Sequence, residues 1–245
     1  MTKTRGSKYA PRKPLRNILD VGGHPRVTKH TREHNLLQSV HDSSSIFVSK
    51  YIIATKIIEV CSLLHPGGIP VFFLIHQYYN LKFGPFTTST SYNIHLVITD
   101  LVKEDSATVA WTIFGDVNGP IRKMLTIKQS IREAIYNSLS NEKKIRLGSS
   151  IVQALEAVVR RDDFTEISVQ GIYNAYVPHI RQLFVSVDWQ LMDLQTLLRF
   201  SGLLAKVGRF LISTGAISEG EEVMRNEASV SALALAKRMA ETLHI

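Results

Sequence analysis

The chain is 245 residues long and holds a single cysteine, Cys61. One thiol excludes an intramolecular disulfide framework and a cysteine-rich zinc site, and it fits a reducing compartment. No stretch approaches the ~18 consecutive apolar residues of a membrane-spanning helix. The first residues are basic and polar without an apolar core, so a secretory signal is not expected. Glycine pairs at Gly22-Gly23 and Gly67-Gly68 fit neither phosphate-loop nor dinucleotide-loop spacing. They read as turns. There is no G-x-S-x-G elbow. His30 and His34 are spaced i, i+4, but Glu33 stands in the wrong place for H-E-x-x-H and no third ligand is near. His65, His76 and His95 are scattered, and sequence alone assembles no triad from them. No metal and no cofactor is expected.

Acidic residues are nearly missing from the beginning. Up to Arg32 the basic residues are Lys3, Arg5, Lys8, Arg12, Lys13, Arg16, Arg26, Lys29 and Arg32, against Asp20 alone. That stretch carries the whole formal net charge of +8, and the rest of the chain balances. Pro11, Pro14, Gly22, Gly23 and Pro25 interrupt any helix. Large apolar residues are too sparse to offset the entropy of ordering. The reading is a flexible basic arm over 1–43 that favours polyanions or anionic surfaces. The Lys8–Arg16 cluster also has the composition of a nuclear import signal. A merely solubilising tail is the plainer alternative.

From Ser43 the composition changes, and 44–245 reads as a single α+β domain, sheet-rich over 70–126 and helical over 127–245. Ile46, Ile53, Ile57, Val60 and Leu64 share a helical face up to the stop His65-Pro66-Gly67-Gly68, with Ser43 to Ser45 as caps. The β-branched content of the same stretch favours a strand instead. Pro70 to Tyr79 reads as a short buried strand. Tyr92, Ile94, Leu96 and Ile98 alternate with polar or smaller neighbours. Lys103 to Ser106 makes a break, and Val109, Trp111 and Ile113 alternate again. That pattern predicts an antiparallel hairpin over Tyr92–Phe114, with Trp111 and Trp189 as core anchors. A last strand is expected at Ile121–Thr126 after a turn at Asn118-Gly119-Pro120.

The period then becomes helical: Ile127, Ile131, Ile135 and Leu139 stack on one face. A second helix is expected over about Glu142–Arg161, interrupted at Gly148, with Ser150 capping its second part. Pro178 is expected to begin a short helix. Asp188 is expected to cap a long apolar helix from Trp189 to Ser213, with Gly202 and Gly208 at close helix contacts and Gly215 ending it. Ser218 and Glu221 read as a capping box for the last helix.

Two binding surfaces follow. Lys143, Lys144 and Arg146 precede Gly148-Ser149-Ser150, where amides at a helix start could join lysines around a phosphate. Arg122, Lys123 and Lys128 extend this second basic population. A solvated face or an ordinary helix break is the plainer reading. Leu198 and Leu204 lie in a helix with little polar surface and are candidates for self-association.

A basic arm, a small antiparallel sheet and then helices, without a catalytic motif, resembles the structural proteins of RNA viruses. The nearest likeness is to matrix proteins of negative-strand viruses, then to nucleocapsid proteins. The P-P-x-Y and P-[ST]-A-P motifs are absent from the arm, and Tyr78-Tyr79-Asn80-Leu81 fits Y-x-x-L. The resemblance implies a non-enzymatic, self-associating, peripheral protein that touches anionic membrane, nucleic acid or both, with a nucleocapsid protein as a further partner. The lone thiol and the basic cluster lead to an expected location in the cytoplasm, with nuclear import or peripheral membrane association open, and the resemblance adds the virion for a viral protein. The rivals are a sequence-tolerant nucleic-acid-binding protein and an enzyme whose site is scattered along the chain.

Overall fold

In the computed structural model the described residues are 45–83, 90–113, 121–160 and 163–243. The chain divides into Met1–Gln38 and Ser39–Ile245, and all described residues belong to the second unit. The predicted arm, the caps Ser43 and Ser44 and the turn at Asn118-Gly119-Pro120 lie outside the described residues. The described part is an α+β unit: a three-stranded antiparallel sheet in its first half and helices after it.

Helix α1 (Ser45–Leu63) opens the fold. The helical face expected over Ile53, Ile57, Val60 and Leu64 is buried, and Ile58, Cys61 and Leu63 join it. So many buried positions leave little exposed surface over the second half of the helix, and α1 packs on several later helices. The stop at Pro66-Gly67-Gly68 holds. Gly68 has φ +103°, and a Cβ there would meet Thr126 Oγ1 at 2.8 Å, so only glycine fits.

Strand β1 is just Ile69–Pro70, paired with β3 (Ile121–Ile127) through Ile69↔Leu125 and Pro70↔Met124. The strand expected over Pro70–Tyr79 is therefore a correction: Val71–His76 is helix α2. The buried residues Val71, Leu74, Tyr78 and Leu81 recur at helical intervals, and the continuous apolar run concealed that spacing.

The hairpin expected over Tyr92–Phe114 is also corrected. Thr90–Lys103 is helix α3, and its buried positions Ile94, Val97, Ile98 and Leu101 follow i, i+3, i+4, i+7. Alternation through Ile94 and Ile98 coexisted with this stripe because Val97 was counted among the smaller, outward residues. Lys103 to Ser106 is not a hairpin turn. It ends α3, with the Ser106 N–H donating to the Leu101 carbonyl, and leads into β2 (Ala107–Ile113). The hairpin lies one element later: β2 pairs with β3 from Ala107↔Ile127 to Ile113↔Ile121. Sheet order is β1-β3-β2. Ala107 and Ile127 are buried at its base, whereas Trp111 and Lys123, paired further out, are exposed. Trp111 is 70% exposed and is no core anchor; it shares the outward face of the ribbon with Lys123, whereas half-buried Arg122 on the other face lies near Tyr176 of helix α6 (Ile167–Ser186).

Helix α4 (Gln129–Ser138) follows β3 directly, and Ile135 and Leu139 are buried as the sequence implied. Arg132 of this helix reaches the end of α1. Its Nε donates to the Cys61 carbonyl at 3.2 Å and its Nη2 to the Leu64 carbonyl at 2.7 Å. The Cys61 carbonyl otherwise receives only a long bond from the Leu64 amide at 3.4 Å, as expected where the last turn of a helix runs out of backbone donors. Arg132 is 8% exposed.

Helix α5 (Asn141–Val158) is capped by Ser140, which accepts from the Lys143 amide, and it passes unbroken through Gly148. Gly148 is not a break: a Cβ there would strike Met192 Cε at 2.7 Å. Ser150 is not a cap but a buried residue whose hydroxyl donates to the Arg146 carbonyl. Helix α6 (Ile167–Ser186) contains Pro178 in its interior rather than at its start. The carbonyl left without a partner is that of Asn174, an exposed position where water can take its place.

Asp188 caps only a short 3₁₀ turn, Trp189–Leu191; Asp193 caps the long helix α7 (Leu194–Ser213), accepting from the Thr196 amide at 2.8 Å. Trp189 is the anchor expected: it stacks on Phe200 with centroids 3.9 Å apart, and its Nε1–H donates to the Phe184 carbonyl. Helix α8 (Ile217–Leu243) runs back along α7. The close contact predicted at Gly208 is real, since a Cβ would meet Met224 Sδ at 2.5 Å; at Gly202 it is not, since nothing lies within 4 Å. Gly215, at φ +87°, ends α7. Ser218 and Glu221 lie inside the first turns of α8, so the expected capping box is shifted off the helix start.

Replacing Arg132 by Met removes the donor to the Leu64 carbonyl and leaves the Cys61 carbonyl with only the long bond from the Leu64 amide, and it is expected to cost about 2–4 kcal/mol. Arg132→Lys should recover little of it, because one ammonium lacks the guanidinium fork. Urea unfolding measures both, and a loss below about 1 kcal/mol for the Met variant would show that the carbonyls find other donors.

The two tryptophans should separate in the same assay. Trp189→Ala is expected to cost about 3–5 kcal/mol, and Trp111→Ala less than about 1 kcal/mol.

Candidate functional site

The second basic cluster does not form a phosphate cradle. The amides of Gly148 to Ser150 are inside α5, where the backbone ladder uses them. Lys143 forms an ion pair with Glu59 of α1, whose side chain is 7% exposed. Lys144 sits over the Tyr136 ring, 3.7 Å from its centroid. Arg146 pairs with Glu142 one turn earlier at 3.2 Å. All three cations thus have neighbours within the fold, and the pair with buried Glu59 is the structural one. Lys128 likewise pairs with Asp105. The sequence offered no hint that Glu59, far away in the chain, would claim Lys143.

The arm residues Lys3, Arg5, Lys8, Arg12, Lys13, Arg16, Arg26, Lys29 and Arg32, and also His30 and His34, lie outside the described residues. Among the described residues no three His, Cys, Asp or Glu side chains come together as a metal site, and no helix is long and apolar enough to cross a membrane.

One of the scattered histidines, His65, meets a histidine that the sequence reading did not single out. His179 of α6 is 2% exposed, and its Nδ1 accepts the His65 amide at 3.2 Å. Its other ring nitrogen donates to the Gly68 carbonyl. Burial, with His65 and Arg132 adding repulsion, pushes the His179 imidazole down to about 3. His65 is also lowered, by burial and then by Arg132. The pair clamps the stop after α1 and has the character of a structural joint. His76 instead stacks against Phe72 on the surface, and His95 is exposed on α3. Cys61 is buried, and burial pushes its thiol up to about 12, so it is no nucleophile.

A shallow cleft of about 240 Å³ lies between the end of α1, α4 and α6, lined among others by Ser62, Arg132, Tyr136, Gln182 and Ser186. Its polar groups serve the fold. Arg132 caps α1, the Tyr136 hydroxyl donates to the Ser186 carbonyl, and the Gln182 amide donates to Ser186 Oγ.

The two leucines proposed for self-association part company. Leu204 is fully buried in the core, so a charge there would unfold the protein rather than separate copies. Leu198 is 51% exposed. Sequence reading missed the larger apolar surface, which is on α8. There Leu235, Met239 and Leu243 are 60%, 56% and 82% exposed, while Val223, Val230 and Ala234 on the opposite side are buried. The signal was present in the sequence as apolar residues on both sides of one helix.

No protein-family model, curated protein or solved structure matches this chain.

His179 gives a direct test of the joint. Unfolded, it takes up a proton below about pH 6.5; folded, it resists until about pH 3. The stability it contributes is therefore complete above pH 6.5 and is lost as pH falls from there toward 3. From pH 7 to pH 4.5 the expected loss is about 2–3 kcal/mol. His179→Asn should be less stable at pH 8 but flatter over this range. Equal pH slopes for variant and wild type in urea unfolding would refute the clamp.

Proposed function

We propose that this protein is a non-enzymatic assembly protein of the viral-matrix kind. In this reading it holds a polyanionic surface, anionic membrane or nucleocapsid RNA, through the basic arm and associates with itself through its helical half. The observation that carries it is the partition of charge. Residues 1–32 hold nine basic residues against Asp20, and the remaining 213 residues hold twenty of each sign. The internal pairing of Lys143 and Arg146 and the seating of Lys144 on Tyr136 add support, because they leave the arm as the concentrated source of positive charge.

A second reading, a sequence-tolerant RNA-binding protein, is favoured by the outer part of the β2–β3 ribbon. There Trp111 is bare and lies opposite Lys123. An exposed ring beside a cation suits base stacking next to a phosphate, a combination that tolerates any sequence.

Deleting residues 1–32 is expected to weaken binding both to single-stranded or duplex RNA and to anionic vesicles, with little change in Tm. Each neutralised phosphate releases counterions, so if about half of the nine cations touch a duplex, log K should fall against log salt with a slope of roughly −4. Vesicle binding should be screened similarly. Salt-insensitive or strongly sequence-selective RNA binding by the truncated chain would overturn the arm model. RNA binding by the truncated chain that is lost in Trp111→Ala, without vesicle binding, would establish the second reading in its place.

A further inference from the structure

Helix α8 has two apolar faces. One, through Val223, Val230 and Ala234, is buried against α7. The other runs through Ala228, Ala232, Leu235, Ala236, Met239 and Leu243, all exposed. At 100° per residue these six positions fall within about 100° of arc, opposite the buried stripe. The exposed face carries no charge from Ala228 to Leu243; Arg225 and Glu221 continue it toward the helix start. Lys237, Arg238 and Glu241 lie off this stripe, with Lys237 donating to the Met192 carbonyl.

The order of small and large residues along this face is specific. Each alanine is followed seven positions later by a large side chain: Ala228 by Leu235, Ala232 by Met239, Ala236 by Leu243. A second copy of the helix laid antiparallel, with a twofold axis between positions 235 and 236, aligns Ala228 with Leu243, Ala232 with Met239 and Leu235 with Ala236 of its mate. Every layer then holds one small and one large side chain, which lets the two helices approach closely and fill the space between them. A parallel pairing would set alanine against alanine and leucine against leucine and leave alternating gaps and clashes.

We propose that this face of α8 is the surface through which two copies of the chain associate, antiparallel about that twofold axis. The inference deepens the self-association in the function proposed above and rests on that reading for its purpose, though not for its geometry. A face of roughly 24 Å is short against the ~800 Å² per partner of a standard interface. The dimer is therefore weak and reversible in dilute solution. Arms bound to a common polyanion would raise the local concentration of protomers and bring it into being there.

The test uses the full chain. Sedimentation velocity over a range of concentrations should show a monomer–dimer equilibrium. The double variant Leu235→Lys, Met239→Lys should weaken it by at least about 100-fold, since the twofold axis places each change in the interface twice. Both positions are exposed, so Tm should not move; if it does, Leu235→Ala with Met239→Ala keeps the helix and gives the same readout. Cys61 is buried, so an introduced thiol reports alone. Under mild oxidation Ala236→Cys should cross-link to its mate and Ala228→Cys should not. A wild type that stays monomeric at high concentration, or a dimer that survives the lysine changes, overturns the proposal. Cross-linking through Cys at 228 instead of 236 overturns the antiparallel register. A dimer that appears only after deletion of residues 1–44 shows that the arm, not a second copy, occupies the face. Intact dimerisation with no binding of RNA or vesicles would refute the polyanion reading and leave the interface standing.

Discussion

The fold depends on how the end of α1 is closed. A helix that ends inside a protein leaves carbonyls that water cannot reach, and here a buried arginine supplies the donors. The planar fork of Arg132 reaches the carbonyls of Cys61 and Leu64 at once, and its remaining nitrogen donates to Gln129 on its own helix. Burying the guanidinium is costly unless its hydrogen bonds are made, so the end of α1 and the start of α4 fix each other. Because α4 follows β3 after one residue, the same contact ties the sheet to the first helix.

The residues around this contact close the joint from the other side. Gly68 turns the chain under Thr126, β1 pairs with β3, and His179 of α6 holds the amide of His65 and the carbonyl of Gly68. Glu59, buried two residues before Cys61, draws Lys143 of α5 onto the same helix. Four later segments, β3, α4, α5 and α6, thus converge on the stretch from Glu59 to Pro70. Much of the polar chemistry that could have been taken for a site, the histidine pair and two members of the basic clusters included, is used to assemble the core. The groups that the core does not use are of other kinds: a concentration of cations in 1–32, an exposed tryptophan on the β2–β3 ribbon, and an uncharged face on the last helix.

Much of the architecture was legible in the sequence. The helical face of α1, the stop at Gly67-Gly68, strand β3, the change of period at Ile127 and the end of α7 at Gly215 were all read from local signals: spacing, φ > 0 glycines and β-branched runs. The misreadings share a cause. In Val71–Leu81 and Ile94–Leu101 most residues are apolar, so a subset at spacing two and a subset at spacing 3.6 exist together. Which subset is buried is set by the neighbour that covers it, and in both segments the buried subset is the helical one.

The class, the order of sheet and helices, and the segregation of charge into the first 32 residues follow from composition and local period alone. Only the tertiary structure decided what each polar or apolar residue is for. Lys143 became a structural cation because Glu59 is buried beside it, and Gly148 became a packing contact because Met192 fills the space where a Cβ would stand. Trp111 came out into solvent because it is on the face of the ribbon turned away from Tyr176, while Leu204 went inside and Leu198 did not. Residue type and spacing state what a side chain can do. The partner that arrives from a distant part of the chain fixes which of those things it does, and that partner is set by packing rather than by local sequence.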